Sequence, residues 1–252
     1  MKDELNQINQ TFAVQLSKVL KIIDFDREYL EMVVSQLEEQ ERDLIKTNAN
    51  PHLYPTSQIL LLNSLIKSGP TQIKYQPIYN QCIVLLVSHF SSVISSLFNG
   101  TLTYYLKNTE TLPEHISNTE YKFRLGELRD LQYNLSSEIG RMIARRSNIS
   151  FQDMKSISRA FSQFFNIDVP FNKDVANIIG AQAFRHAIVH NGERVDEKCL
   201  GQLKSAKERD VFTDLNLGDD ILVDRQDIKT VKNNMLSYVN NLSGNIIDTL
   251  LG

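Results

Sequence analysis

Apolar residues recur at helical spacing from Leu5 to about Ile45, through Ile8, Phe12, Leu16, Val19, Leu20 and Ile23 and on through Tyr29, Leu30, Val33, Val34, Leu37 and Leu44. A period near 3.6 with few breakers predicts one long helix or two collinear ones. Asn48, Asn50, Pro51 and Pro55 mark Lys46 to Pro55 as a loop, and a short helix from Ser57 to Ile66 should stop at Gly69-Pro70. Another helix is expected after Pro77, from Ile78 to about Leu106. Its first half is apolar nearly all round (Ile83, Leu85, Leu86, Val87, Phe90), which is the pattern of a central bundle helix.

Two further helices are expected over Glu120–Arg146 and Ser150–Asn166, with Ser150 and Asp153 as an acidic variant of a capping box. The next should begin near Asn172 to Asp174 and end at Asn191-Gly192, where a left-handed residue is easily accommodated. A shorter helix from about Asp196 to Arg209 follows. Val211 to Val223, with Leu217-Gly218-Asp219-Asp220-Ile221, reads as a small extended excursion before Asp224 caps a last helix to about Leu250. The whole chain therefore reads as all-α, a helical bundle with additional peripheral helices.

Composition narrows the setting. At 252 residues and 42% hydrophobic, the chain can bury a substantial core, and a formal charge of -3 gives no global pull toward polyanions, so an RNA partner would need a local basic patch. The two distant cysteines, Cys82 and Cys199, make no disulfide framework. The N-terminus lacks signal-peptide features, and the apolar run near Cys82 reads as too short to cross a bilayer. The expectation is a cytoplasmic protein with no membrane partner.

Chemistry concentrates in Ala183-Phe184-Arg185-His186-Ala187-Ile188-Val189-His190-Asn191-Gly192. His186 and His190, four apart, share one helical face, whereas Arg185 and His190, five apart, differ by about 140° around the axis. Either the arginine wraps around the helix, or the pair is assembled from two copies of the chain across a two-fold axis. The last helical turn favours a cation by about 0.3 to 1 kcal/mol, which suits a charged His190. A histidine that exchanges protons near neutrality, beside an always-charged arginine, suits phosphodiester cleavage without a metal. Solvated surface side chains are the plainer account of the same residues. His186 and His190 also have the spacing of helical zinc ligands, but no Glu stands between them and neither cysteine belongs to a ligand pair.

The run from Phe184 to Gly192 resembles the signature of the HEPN superfamily, an Arg, then a polar residue, three more positions and a His. Cys82 to Phe98 (CIVLLVSHFSSVISSLF) is similar to the central helix of the group that includes the RiboL-PSP-HEPN type, and Val195-Asp196 and the closing helix follow in the same order. The resemblance covers roughly Ile78 to the C-terminus. It implies a single domain over 1–252: a HEPN-like four-helix core within 78–252, a family-variable insertion about 120–166, and an N-terminal helical extension over 1–70.

The resemblance further implies a homodimer with a composite active site and a metal-independent, cofactor-free endoribonuclease leaving 2′,3′-cyclic phosphate and 5′-hydroxyl ends. Arg185 and His190 would be catalytic, His186 auxiliary, and Asn191 a weaker candidate equally explained as a helix terminator. Such proteins commonly act in toxin-antitoxin or anti-phage defence settings, with an antitoxin or defence-system protein as partner. Other members are catalytically inactive RNA- or protein-binding modules.

Arg141, Arg145 and Arg146, with Lys155 and Arg159, form the densest basic stretch and could guide an RNA backbone, or be a solvated face. Tyr104, Tyr105, Tyr121 and Tyr133 could stack on bases, although aromatics at helical spacing are more often core. His89 reads as a core or interface histidine. His52 and His115 lie in loop-like surroundings, and Gly126 and Gly140 fall in helical pattern without a phosphate loop.

Overall fold

In the computed structural model, the N-terminal apolar stripe folds as one unbroken helix, α1 (Lys2–Lys46). The structure describes residues 1–67, 70–108, 120, 122–130, 132–134, 139–147 and 149–251, the side chains of 26, 27, 67, 70–75, 146 and 251 excepted. Gly69, His115, Tyr121 and the Arg146 side chain, all singled out above, lie outside the described residues.

A 3-10 turn (Pro51–Leu53) leads into α2 (Thr56–Lys67), and α3 spans Pro70–Asn108. Pro77 therefore lies inside α3 and does not precede it. A proline early in a helix removes one backbone bond, and tertiary bonds hold this turn in place. Gln76 Nε2 donates to Val223 O at 3.2 Å and Asn80 Nδ2 to Ile221 O at 3.5 Å. The extension also corrects the expectation of a short apolar run. By length and composition alone, Gln76–Asn108 could cross a membrane, and half of its apolar window is buried inside the protein.

Glu120–Arg146 is not one helix. Among the described residues it contains α4 (Leu125–Asp130) and α5 (Ile139–Arg146), and between them Gln132 and Tyr133 adopt positive φ of 50° and 59°, which no α-helix accommodates. The cap of α6 (Met154–Phe165) is Asp153 itself, whose Oδ1 accepts the Ser156 N–H at 2.8 Å. Ser150 Oγ instead accepts the Gln152 N–H at 3.2 Å.

Asn172 caps α7 (Lys173–His190), and the left-handed residue beyond its end is Gly192, at φ 60°. Asp196 caps α8 (Glu197–Ser205), which ends before the expected Arg209. The reason is that Arg209 folds back to donate to the carbonyls of Leu203, Ala206 and Phe212, taking over helix-end acceptors. The excursion before the last helix forms no strand among the described residues. It makes one antiparallel bridge, Arg194 to Asp220, flanked by bonds from Val195 N to Asp219 O and from Ile221 N to Glu193 O. Asp224 and Asp227 then cap each other's backbone N–H at the start of α9 (Arg225–Leu251).

The described residues are thus all-α. Helix α3 packs on α1, α7 and α9, while α9 also touches α1 and α7. One continuous core results, to which α1 contributes Leu5, Phe12, Leu16, Val19 and Ile23. Phe98 of α3 anchors the α6 side, with its ring 5.3 to 5.7 Å from those of Phe151, Phe161, Phe164 and Phe165.

Candidate functional site

Helix α7 is buried along most of its length because most of its residues are apolar or small and its buried Asn177 is matched at both ends. Gly180 lets the chain approach closely, since a Cβ there would stand 3.1 Å from Phe212 Cδ2, and Phe184 packs on Phe212 at 4.0 Å between ring centroids. Asn177, 1% exposed, accepts the Asp210 N–H at 2.8 Å and donates to Asn234 Oδ1 at 3.0 Å. Asn234 in turn donates to Asp174 Oδ1 at 2.6 Å, fastening α7 to α9.

The helix emerges at its C-terminal end. Arg185 and His186 are half-buried, while Val189 and His190 are exposed. Arg185 and His186 line a cavity of about 680 Å³ enclosed by α3, the start of α6, α7 and α8. His190 is not part of its wall. It stands one turn further on, its ring centroid 4.9 Å from that of His186. A single chain therefore does not bring Arg185 and His190 into one cavity.

The environment of His186 is cationic. Burial, and then Lys198, His190 and Arg185, hold its pKa below the usual histidine value, with Asp196 opposing. His186 is consequently biased toward the neutral imidazole. Asn191 is engaged in the turn: its Nδ2 donates to Arg194 O at 2.9 Å and its N–H to Ala187 O. That is a terminating role.

The basic stretch divides. Lys155 lines the same cavity as Arg185, but Arg141 lines a separate one of about 650 Å³ between α1, α3 and α5, and Arg145 and Arg159 are exposed elsewhere. Tyr105 packs edge-on against Phe165 and Tyr104 lines the second cavity, whereas Tyr133 is exposed. His89 is half-buried, with burial lowering its pKa, and His52 sits in the exposed 3-10 turn. Both thiols are free and buried, and burial pushes each up to about 11, so neither is a ready nucleophile. No cluster of three or more His, Cys, Asp or Glu side chains suited to a metal forms among the described residues.

Among the wall residues that escaped the sequence reading are Gln182, Lys198 and Gln202. Gln182 was legible, because 182, 185 and 186 share one helical face. Lys198 and Gln202 were not, since only the turn at Asn191-Gly192 folds α8 back onto α7. Compared with family models, curated proteins and solved structures, the chain matches none.

Proposed function

We propose that this protein is a metal-independent endoribonuclease of the HEPN type, acting as a homodimer. The observation that carries this reading is the division of the motif: Arg185 borders a cation-lined cavity, and His190 stands exposed one turn beyond His186. A partner protomer can meet an exposed helix end, so a composite site is open to this geometry. Around that end the exposed apolar residues Val189, Leu217 and Leu222 offer contact surface, the latter two on the segment bonded to residues 193–195.

In the reaction, a histidine takes the proton of an RNA 2′-hydroxyl, whose oxygen attacks the adjacent phosphorus. The P–O5′ bond breaks, and the leaving 5′-oxygen receives a proton from a protonated histidine. The products are a 2′,3′-cyclic phosphate and a 5′-hydroxyl. Arg185 stabilises the charge that develops on the non-bridging oxygens. A toxin-antitoxin or anti-phage defence setting, with a restraining protein partner, belongs to the same proposal. A second reading, a catalytically silent RNA- or protein-binding module, is favoured by the separation of Arg185 from His190 within one chain.

Incubating the protein with RNA in excess chelator separates the two. Cleavage with cyclic-phosphate ends, abolished by Arg185→Ala and by His190→Ala at unchanged thermal stability, supports the nuclease. Full cleavage by His190→Ala overturns the assignment, and RNA binding without cleavage supports the silent module.

A further inference from the structure

The cavity beside the motif carries features of its own. Three cations, the half-buried Arg185 and the exposed Lys155 and Lys198, border it against one carboxylate, Asp153, and none of the three has a hydrogen-bond or ion-pair partner among the described residues. Asp153 is already committed to the Ser156 N–H as the helix cap.

The first turn of α6, a helix of 12 residues, forms part of the wall. There Met154 N–H is taken by Gln182 Oε1 at 3.1 Å and Ser156 N–H by Asp153, which leaves Lys155 N–H without an acceptor among the described residues. Helix N-termini of this kind favour anions through free N–H groups and the helix dipole.

Gln182 supplies an independent sign. It is 5% exposed and lines the cavity, and its Nε2 is a buried donor with no partner among the described residues. Gln202, on the α8 wall of the cavity, has a buried Oε1 that is likewise unpartnered among the described residues. An orphaned donor is costly to a folded protein, and a small turn of the Gln182 side chain that brings Nε2 to the cavity surface against a ligand acceptor removes that cost.

From the unpaired cations, the α6 N-terminus and the orphaned Gln182 amide, the geometry points to a phosphate-binding site between α6, α7 and α8, for the phosphate of a mononucleotide or of an RNA strand. A volume of about 680 Å³ accommodates a nucleotide-sized group. For the RNA source the site rests on the ribonuclease reading, as a subsite for a phosphate flanking the one that is cut. For a free nucleotide it stands without that reading.

The test is calorimetric titration of the full-length protein with inorganic phosphate, a 5′-mononucleotide, the matching nucleoside and a short RNA. Saturable binding of phosphate and nucleotide but not nucleoside is expected, weakened about tenfold or more in Lys155→Ala/Lys198→Ala. Gln182→Glu keeps the acceptor for Met154 N–H but turns the free donor into a carboxylate oxygen, and it should abolish phosphate binding while the fold remains. Bound phosphate should also raise the NMR titration midpoint of His186, an effect lost in Gln182→Glu.

Lys207→Ala, exposed outside the cavity, should bind phosphate like the unaltered protein. Phosphate binding with no cleavage by any form therefore supports this site while sinking the nuclease reading. Cavity variants that lose nucleotide binding and cleave RNA normally assign the site to a free nucleotide; parallel loss of RNA binding assigns it to the strand. Absence of saturable binding, or undiminished binding in both cavity variants, overturns the proposal.

Discussion

His186 and His190 stand one helical turn apart with ring centroids 4.9 Å apart, yet only His186 borders the cavity. The pair is therefore an electrostatic link between a recessed residue and an exposed one. Lys198 and His190 both depress the His186 pKa, with Lys198 the larger of the two. Lys198→Ala and His190→Ala should each move the His186 midpoint upward, Lys198→Ala by more. A midpoint unmoved in both variants would contradict the arrangement.

The same depression has a consequence for stability. With its pKa lowered on folding, His186 takes up a proton more readily in the unfolded chain. Its contribution thus disfavours the folded state as pH falls below about 6.5 and levels off once the folded form is also protonated. Denaturant titrations between pH 7.5 and 5 should show a shallower acid loss in His186→Gln than in the unaltered protein.

A shared active site makes a quantitative demand. If Arg185 works with His190 of a partner copy, then mixing Arg185→Ala with His190→Ala creates heterodimers with one intact site. Statistical mixing restores about a quarter of the original RNA cleavage. Two inactive variants that stay inactive after subunit exchange would place both residues in one chain's site.

Asn177 ties α7 to α9 and to the loop after α8 with both ends of its amide. Replacing it with Leu removes the partners of the Asp210 N–H and of Asn234 at a part-buried junction that water can partly reach, at about 1 to 3 kcal/mol in all. Chemical denaturation of Asn177→Leu should show a loss of that size, and an unchanged midpoint would refute the network.

Two glycines in helical pattern differ sharply in their surroundings. A Cβ on Gly140 would lie 2.8 Å from Asn99 Cα, so Gly140→Ala must push α5 off α3, at about 1 to 3 kcal/mol. Gly126 in α4 has nothing within 4 Å among the described residues, and Gly126→Ala should be neutral or stabilise by up to about 1 kcal/mol. Thermal melts of the two variants would show the contrast.

The apolar periods of α1, α7 and α9 predict their extents closely, and the starts of α7, α8 and α9 are legible because caps are local chemistry: Asn172, Asp196 and Asp224 each bond a backbone N–H within three residues. The 140° between Arg185 and His190 is likewise a property of helical geometry, which leaves the arginine to wrap around the helix or a second copy to complete the pair; in the fold only Arg185 borders the cavity. Other features depended on contacts distant in sequence. Pro77 sits within α3 because Gln76 and Asn80 bond to residues 221 and 223, and α8 stops early because Arg209 reaches back for its carbonyls. The cavity is the clearest case: Lys155, Gln182, Arg185, Lys198 and Gln202 come from three helices. Periodicity says which face each helix buries, but only the packing of α6 and α8 against α7 decides which polar groups meet, because that depends on how the helices are set against one another and not on any local pattern.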